Sequence, residues 1–218
     1  MNDYLASQLF RTIIGLRPLA MINPFEYVTV LISIVLGLGI TQILTGIADL
    51  VHQSKRVKVY WPHLLWVIVI LVLHVQDWWV TFDLRNFAPW RLPTFLFVMM
   101  YPVVLFILAR LLFPFGIQEG VVDLKEFYFE NYRKIFVFGA TLPILAILND
   151  LFVRGTEVAP RLPLGPELAK LILPIFLIFM CIRKKESPEW VHKLIALAFF
   201  GILVTSIIIE WNVWLIVN

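Results

Sequence analysis

The recurrence of apolar stretches about as long as a bilayer is thick constrains this chain more than any other feature. A membrane-spanning helix needs about 20 predominantly apolar residues. Six such stretches are found, at about residues 25–50, 62–83, 93–113, 132–152, 166–182 and 190–217. Only 15% of the 218 residues are charged and 61% are hydrophobic, whereas about 25% of a soluble domain is charged. The sequence therefore predicts an all-α, polytopic membrane protein with six transmembrane helices forming one domain, 25–218.

The spans are predicted to be helices because the edge of an open sheet cannot be satisfied in lipid. The preceding residues, 1–24, form a separate interfacial segment in this interpretation. In this segment Leu5, Leu9, Ile13 and Leu16 recur at spacings of three or four residues, which favours an amphipathic helix lying in the membrane interface. Pro18 would end it. The alternative is a tail without regular structure.

The basic residues predict the orientation of the bundle. The loops after the first, third and fifth spans contain 11 of the 18 Lys and Arg residues. Because basic loops stay in the cytoplasm, these loops are predicted to be cytoplasmic and both termini to lie outside. The predicted location is the plasma membrane, which is the inner membrane of a bacterium.

Polar residues interrupt the second span in the stretch LVLHVQDWWVTFDLRN. His63, Ile70, His74 and Asp77 lie on one helix face, since they follow one another at steps of seven, four and three residues. Asp77 lies about 22 Å from Pro62 along the helix at 1.5 Å per residue, which is within a hydrocarbon core of about 30 Å. Ionisable groups at that depth usually face a bundle interior or a wet cavity.

Helix parity brings other carboxylates to the same end of the bundle. Glu26 opens the first span, Asp150 closes the fourth, and Glu210 lies in the last part of the sixth. The candidate ion- or proton-binding residues are Glu26, His74, Asp77, Asp150 and Glu210. The alternatives are a histidine hydrogen-bonded to a neighbouring helix and carboxylates that simply mark helix ends.

The first span contains a row of small and polar residues at four-residue spacing: Thr29, Ser33, Gly37, Thr41, Thr45 and Asp49. Small residues at this spacing let helices approach closely. The row is predicted to be either a packing seam or a pore-lining surface.

Catalytic and cofactor motifs give little support to an enzyme. Cys181 is the only cysteine, and the four histidines form no symmetric set of haem ligands. The sequence contains no HExxH, GxSxG or P-loop motif. No cofactor is predicted; a metal ion or haem is the alternative. The sequence has no stripe of Lys and Arg with interleaved aromatic residues, so nucleic acid is not predicted as a partner.

The leading functional hypothesis is a small channel or transporter that passes or binds a cation or proton at an outward-facing acidic site. The alternative is a non-catalytic accessory or assembly subunit of a larger membrane complex. A membrane protein that binds haem or quinone, or an enzyme, is the third hypothesis. The expected partners are the lipid bilayer and either a second copy of the chain or a larger complex.

Overall fold

The structure, a computed structural model, describes residues 23–87, 89–114, 121–154, 164–183 and 187–217. Helices account for 88% of it, which confirms the all-α class. The six long helices are α1 Pro24–His52, α2 Trp61–Thr81, α3 Leu92–Leu111, α4 Leu124–Asn149, α5 Leu164–Ile182 and α6 Glu189–Val217. Short helical turns are found at Ser54–Arg56, Phe82–Asn86 and Asp150–Arg154. Two short strands are β1 Val57–Lys58 and β2 Val122–Asp123.

Five of the described helices are long and apolar enough to cross a membrane. They are Pro24–His52, Trp61–Arg85, Leu92–Leu111, Leu124–Phe152 and Glu189–Ile208. The chain is therefore an integral, multi-pass membrane protein. The predicted span 166–182 lies on α5, in which the apolar helix Ile172–Ile182 is shorter than a span. The count of six spans is therefore not confirmed. The predicted interfacial helix lies outside the described residues.

Prolines and side-chain caps determine where the helices begin. Pro24 opens α1 after Asn23, whose side chain accepts a hydrogen bond from the Phe25 amide at 3.0 Å. Proline is tolerated there because its missing N–H would have no intrahelical partner. Asp123 caps α4 by accepting from the Lys125 amide at 2.9 Å. For this reason α4 begins eight residues before the predicted fourth span. The polar stretch before that span and the span itself form one continuous helix.

Side-chain contacts give the helix directions. Tyr60 packs on Tyr128 and Trp66 on Phe136, with ring centroids 5.6 Å apart in both pairs, so α2 and α4 run parallel. Trp66 also packs on Phe199, and a hydrogen bond joins Gln76 to Ser206, so α6 runs parallel to both. In contrast, α1 is antiparallel to α2, since Gly39 meets His74 while Phe25 and Thr29 lie beside Trp78 and Thr81.

The pairing of β1 with β2 marks one end of the bundle, which we call the strand end. Val57 pairs with Val122 and Lys58 with Asp123 in parallel register, and the Lys58 ammonium lies 3.5 Å from the Asp123 carboxylate. The sequence predicted helices and no strands, and this pair of strands corrects that prediction. The two strands lie between helices rather than within a span, where water can satisfy their open edges.

Helix α2 lies at the centre of the bundle, because it packs against α1, α3, α4 and α6. The face of α1 that turns inward recurs at three- and four-residue steps: Val28, Ile32, Leu36, Gly39, Ile43, Gly46 and Leu50. A Cβ at Gly39 would overlap the His74 ring, and one at Gly46 would overlap the Phe113 ring. At these two glycines α1 therefore packs closely against neighbouring side chains.

The row predicted as a seam lies largely elsewhere on α1. Gly37, Thr41, Thr45 and Asp49 are exposed, and a Cβ at Gly37 would meet nothing within 4 Å. Thr41 turns its hydroxyl back to the Gly37 carbonyl at 2.8 Å. Close packing within the chain is thus made seven residues apart, at Gly39 and Gly46, and not at Gly37. A pore-lining role, or contact with another chain, stays a prediction.

Candidate ion-binding site

The inward face of α2 contains the polar residues that the sequence places there. His63, Ile70 and His74 are each at most 2% exposed, and Asp77 is half-buried. Their common orientation follows from helix periodicity. In the bundle interior these polar side chains avoid the free-energy cost of facing lipid. The candidate site is the last turn of this row, His74 to Asp77.

His74 presents a free ring nitrogen to the interior. Its Nδ1 lies 2.7 Å from the Ile70 carbonyl oxygen. A carbonyl can only accept, so Nδ1 carries the proton, and in the neutral ring Nε2 is then an acceptor. Nε2 is buried without a hydrogen-bond partner, and it faces Gly39 of α1. Because glycine has no side chain, α1 brings no donor to this nitrogen.

Asp77 contributes a second acceptor one turn further along. Its Oδ2 is buried and has no hydrogen-bond partner. Residues three apart on a helix have Cβ atoms about 5–6 Å apart, so the carboxylate and the imidazole of His74 are neighbours. The half-buried Tyr101 of α3 lies near Asp77. The site is thus enclosed by α1, α2 and α3.

Gln76 lies off this face and points to α6. Its Nε2 donates a hydrogen bond to Ser206 Oγ at 2.7 Å. A hydrogen bond between spanning helices fixes their relative rotation in a medium that offers no other partner. The bond therefore attaches α6 to α2 at the height of the site.

A groove of about 460 Å³ opens beside the site, and we call this end of the bundle the groove end. It is lined by Phe25, Thr29, Ser33, Trp78, Trp79, Thr81 and Phe82. Trp78 and Trp79 are about half exposed, as expected for the aromatic belt at a membrane interface. Thr81 donates to the Asp77 carbonyl at 2.7 Å, so the groove and the site share the last turn of α2.

The other predicted site residues lie on α1, at the end of α4 and on α6. Glu26 is exposed in the first turn of α1, and Asp150 is half-buried at the end of α4. The side chain of Glu210 lies outside the described part of the structure; its backbone belongs to α6, one turn beyond Ser206. His74 and Asp77 are neighbours on one helix through their spacing, while the meeting of all four carboxylates stays a prediction.

Tyr101 and the bond from Gln76 to Ser206 were not anticipated as parts of this site. Tyr101 lies in an apolar span directly before Pro102, and no spacing rule connects it to α2. Lateral neighbours come from helix packing, which the sequence pattern does not encode. Among the described residues, no group of three or more His, Cys, Asp or Glu side chains could hold a metal ion.

Comparisons with known proteins add no relative: no family model, no curated protein and no solved structure matches this chain.

Proposed function

We propose that this protein binds a proton or a small cation at the His74–Asp77 site inside the membrane and passes it toward the groove end. One observation carries the proposal: His74 Nε2 and Asp77 Oδ2 are two buried acceptors, one turn apart, without a donor. Buried acceptors without partners are destabilising. A proton or a cation between them would remove that cost, since either is attracted to both atoms.

The residues around the pair have distinct roles in this proposal. Asp77 supplies the negative charge, and His74 supplies a ring nitrogen that can accept a proton. The bond from Gln76 to Ser206 positions α6, so that Glu210 lies one turn beyond the site toward the membrane face. Glu26, in the first turn of α1, and Asp150, at the C-terminal end of α4, would attract cations to the groove end.

The proposal includes six spans with the strand end in the cytoplasm of a bacterial cell. Helices α4 and α6 run parallel, so α4 ends at the groove end while α6 begins at the strand end. The helix between them, α5, therefore has to return across the membrane. The contacts of α5 agree: Cys181 donates to the Arg133 carbonyl at 3.5 Å, and Leu177 lies 3.8 Å from a Cβ built at Gly139. The basic loops at the strand end favour the cytoplasmic side.

Flux measurements on the purified protein in liposomes test the function. An imposed gradient of protons, Na⁺ or K⁺ should drive a flux that empty liposomes lack. Asp77→Asn should abolish this flux because the amide keeps the shape but not the charge. Asp83→Asn is the matched control, since Asp83 is exposed six residues further along, and it should keep the flux of the wild type.

Two results would overturn the proposal: a wild type that conducts no more of any of the three ions than empty liposomes, or an Asp77→Asn variant that conducts normally. The first result would favour the accessory-subunit hypothesis, which expects no flux from the isolated protein. For orientation, Ser54→Cys, exposed at the strand end, should react with an impermeant thiol reagent only in broken cells. Labelling of intact cells would reverse the orientation.

A further inference from the structure

A second buried cluster of titratable side chains lies at the strand end, far from the site described above. It contains His63 of α2 and His192 of α6, both 0% exposed, with Tyr128 of α4 between them. Tyr128 is also fully buried, and its ring centroid lies 6.2 Å from that of His63 and 5.5 Å from that of His192.

A hydrogen bond between side chains joins two members of this cluster. The Tyr128 hydroxyl lies 3.1 Å from His192 Nδ1, and the Trp66 side chain lies near the same hydroxyl. Tyr132, Phe129 and Phe136 enclose the His192 ring, with centroids 4.7 to 5.9 Å away. His192 is thus connected to one polar partner and surrounded by apolar rings.

Several polar atoms of the cluster have no partner. The Nε2 atom of His192, both ring nitrogens of His63 and the Tyr60 hydroxyl are buried without a hydrogen bond of good geometry; the backbone of Leu112 lies beside His63. Unpaired buried polar atoms are rare, and each calls for an explanation such as an ordered water or an exchanging proton. Their concentration around two histidines makes the cluster a candidate for proton binding.

We infer that the cluster of His63, Tyr128 and His192 is a second proton-binding station, and that the ion exchanged by this protein is a proton. The inference rests on the proposed function and deepens it, because it names the ion and the second end of its path. His63 and His74 lie on the same inward face of α2, 11 residues and about 16 Å apart at 1.5 Å per residue.

The face between the two histidines selects against other cations. It is filled by the buried side chains of Trp66, Val67 and Ile70. A metal cation that leaves water needs coordinating oxygens or charged side chains along its path, and these three residues supply none. A proton needs no such coordination shell, and buried Asp and His residues in membranes commonly bind protons.

The transfer at His192 conserves protons and charge. In the neutral tautomer with Nε2 as acceptor, the Nδ1–H donates to the Tyr128 oxygen. A proton that arrives at Nε2 makes the ring an imidazolium, in which the Nδ1–H still donates to that oxygen. Loss of either ring proton returns the ring to neutral. The cluster gains one positive charge on uptake and loses it on release, and no other reactant is needed.

Charged groups lie near the cluster at the strand end. Glu189, one turn before His192, is 2.6 Å from Lys125 and 2.8 Å from Lys193. Burial and the nearby Glu189 carboxylate raise the pKa of Tyr60 to about 12, so this tyrosine stays protonated. From α4, the Arg133 guanidinium lies 5.9 Å from the Tyr132 ring. Glu189 is thus the acidic group nearest in sequence to the buried histidine.

Proton flux in liposomes, driven by a K⁺ diffusion potential and followed with a trapped pH dye, tests the inference. His192→Gln and His63→Gln should each lower the flux at least tenfold. Tyr128→Phe, which keeps the ring but removes the hydroxyl, should lower it as well. His52→Gln is the control, because His52 is exposed at the end of α1, and its flux should equal that of the wild type.

The outcomes separate this inference from the proposed function. If Asp77→Asn abolishes the flux while His63→Gln and His192→Gln conduct normally, the strand-end station is wrong and the His74–Asp77 site stands. If Na⁺ or K⁺ carries the flux and protons do not, the identity of the ion is wrong. If Asp77→Asn conducts normally, the proposed function itself is wrong.

A measurement on the wild type covers the case in which the variants fail to fold. Nitrogen NMR of protein labelled with ¹⁵N-histidine should show that His63 and His192 change protonation reversibly while the helical circular dichroism is unchanged. Two rings that keep one protonation state at every pH where the protein stays folded would overturn the inference.

Discussion

The two ends of helix α2 carry buried histidines in different surroundings. At the strand end, α4 brings Tyr128 and other aromatic rings against His63 and against His192 of α6. At the groove end, the backbone of Gly39 of α1 lies against the ring of His74. The strand end gives His192 Nδ1 a side-chain partner from another helix, the Tyr128 hydroxyl, whereas the partner of His74 Nδ1 is the Ile70 carbonyl of its own helix.

This difference teaches that the neighbouring helix determines the chemistry of a buried histidine. A glycine at the contact allows a close approach, but it also contributes no side chain that could satisfy His74 Nε2. Close packing and an unpaired acceptor are two results of the same residue. The comparison predicts that changes at Gly39 and at Tyr128 affect the two ends separately.

The largest expected effect comes from the glycines of α1. Gly46→Leu and Gly39→Leu place a side chain inside the Phe113 and His74 rings, and overpacking costs about 1–3 kcal/mol or more. Gly37→Leu is the matched control, because the space around Gly37 is open and leucine has the higher helix propensity. Thermal unfolding in detergent, followed by circular dichroism, should rank Gly37→Leu at or above the wild type. Equal losses in all three variants would contradict the packing of α1.

Removal of the Tyr128 hydroxyl should have the next largest effect on stability. Tyr128→Phe leaves His192 Nδ1 buried without its partner at 3.1 Å, and an unsatisfied buried polar group costs about 1–3 kcal/mol. The control is Tyr27→Phe, since Tyr27 is 74% exposed. Denaturant titration should show a loss for the first variant alone. A Tyr128→Phe variant as stable as the wild type would mean that the hydroxyl does not satisfy His192.

A smaller effect is expected for the bond that attaches α6 to the groove end. A double-mutant cycle with Gln76→Ala and Ser206→Ala should give a coupling energy of about 0.6 kcal/mol, the average for interhelical hydrogen bonds in a membrane. The pair Gln76→Ala and Thr205→Ala serves as the reference, because Thr205 is exposed and bonds to the Gly201 carbonyl. Coupling of the same size in the reference cycle would remove the evidence for this bond.

The smallest effect concerns the exposed cap at the strand end. The Glu126 and Lys125 amides, together with Lys58, hold the pKa of Asp123 below its ordinary value. A lowered pKa in the folded state stabilises the protein above about pH 4, the ordinary value for Asp, and this contribution is lost as pH falls through the lower pKa of the folded state.

Asp123→Asn removes that titration but keeps a capping side chain. Melting temperatures of the variant and the wild type should therefore differ slightly at pH 7 and converge toward pH 3. Lys58→Met is the companion variant; it removes the ion pair but keeps both amide bonds, so its difference at pH 7 should be smaller still. A gap between Asp123→Asn and the wild type that widens toward pH 3 would contradict this account.

Parts of the site could be predicted because helix periodicity is local. His63, His74 and Asp77 were placed on one helix face by their spacing alone, and the structure buries both histidines on that face. The spacing of Thr29 to Asp49 was equally regular, yet most of that row is exposed. Periodicity shows which residues share a face, and it does not show which of two faces meets a neighbour.

By itself, the sequence determined the membrane setting, the helical class and the approximate limits of most spans, because hydrocarbon thickness and proline positions act on contiguous residues. Only the tertiary structure decided that Gly39 faces His74, that Gln76 reaches Ser206 and that Tyr128 lies between two histidines. In lipid, helix association depends on close packing and single hydrogen bonds rather than on apolar burial. Such contacts join residues far apart in the chain, so their partners are decided only when the helices come together.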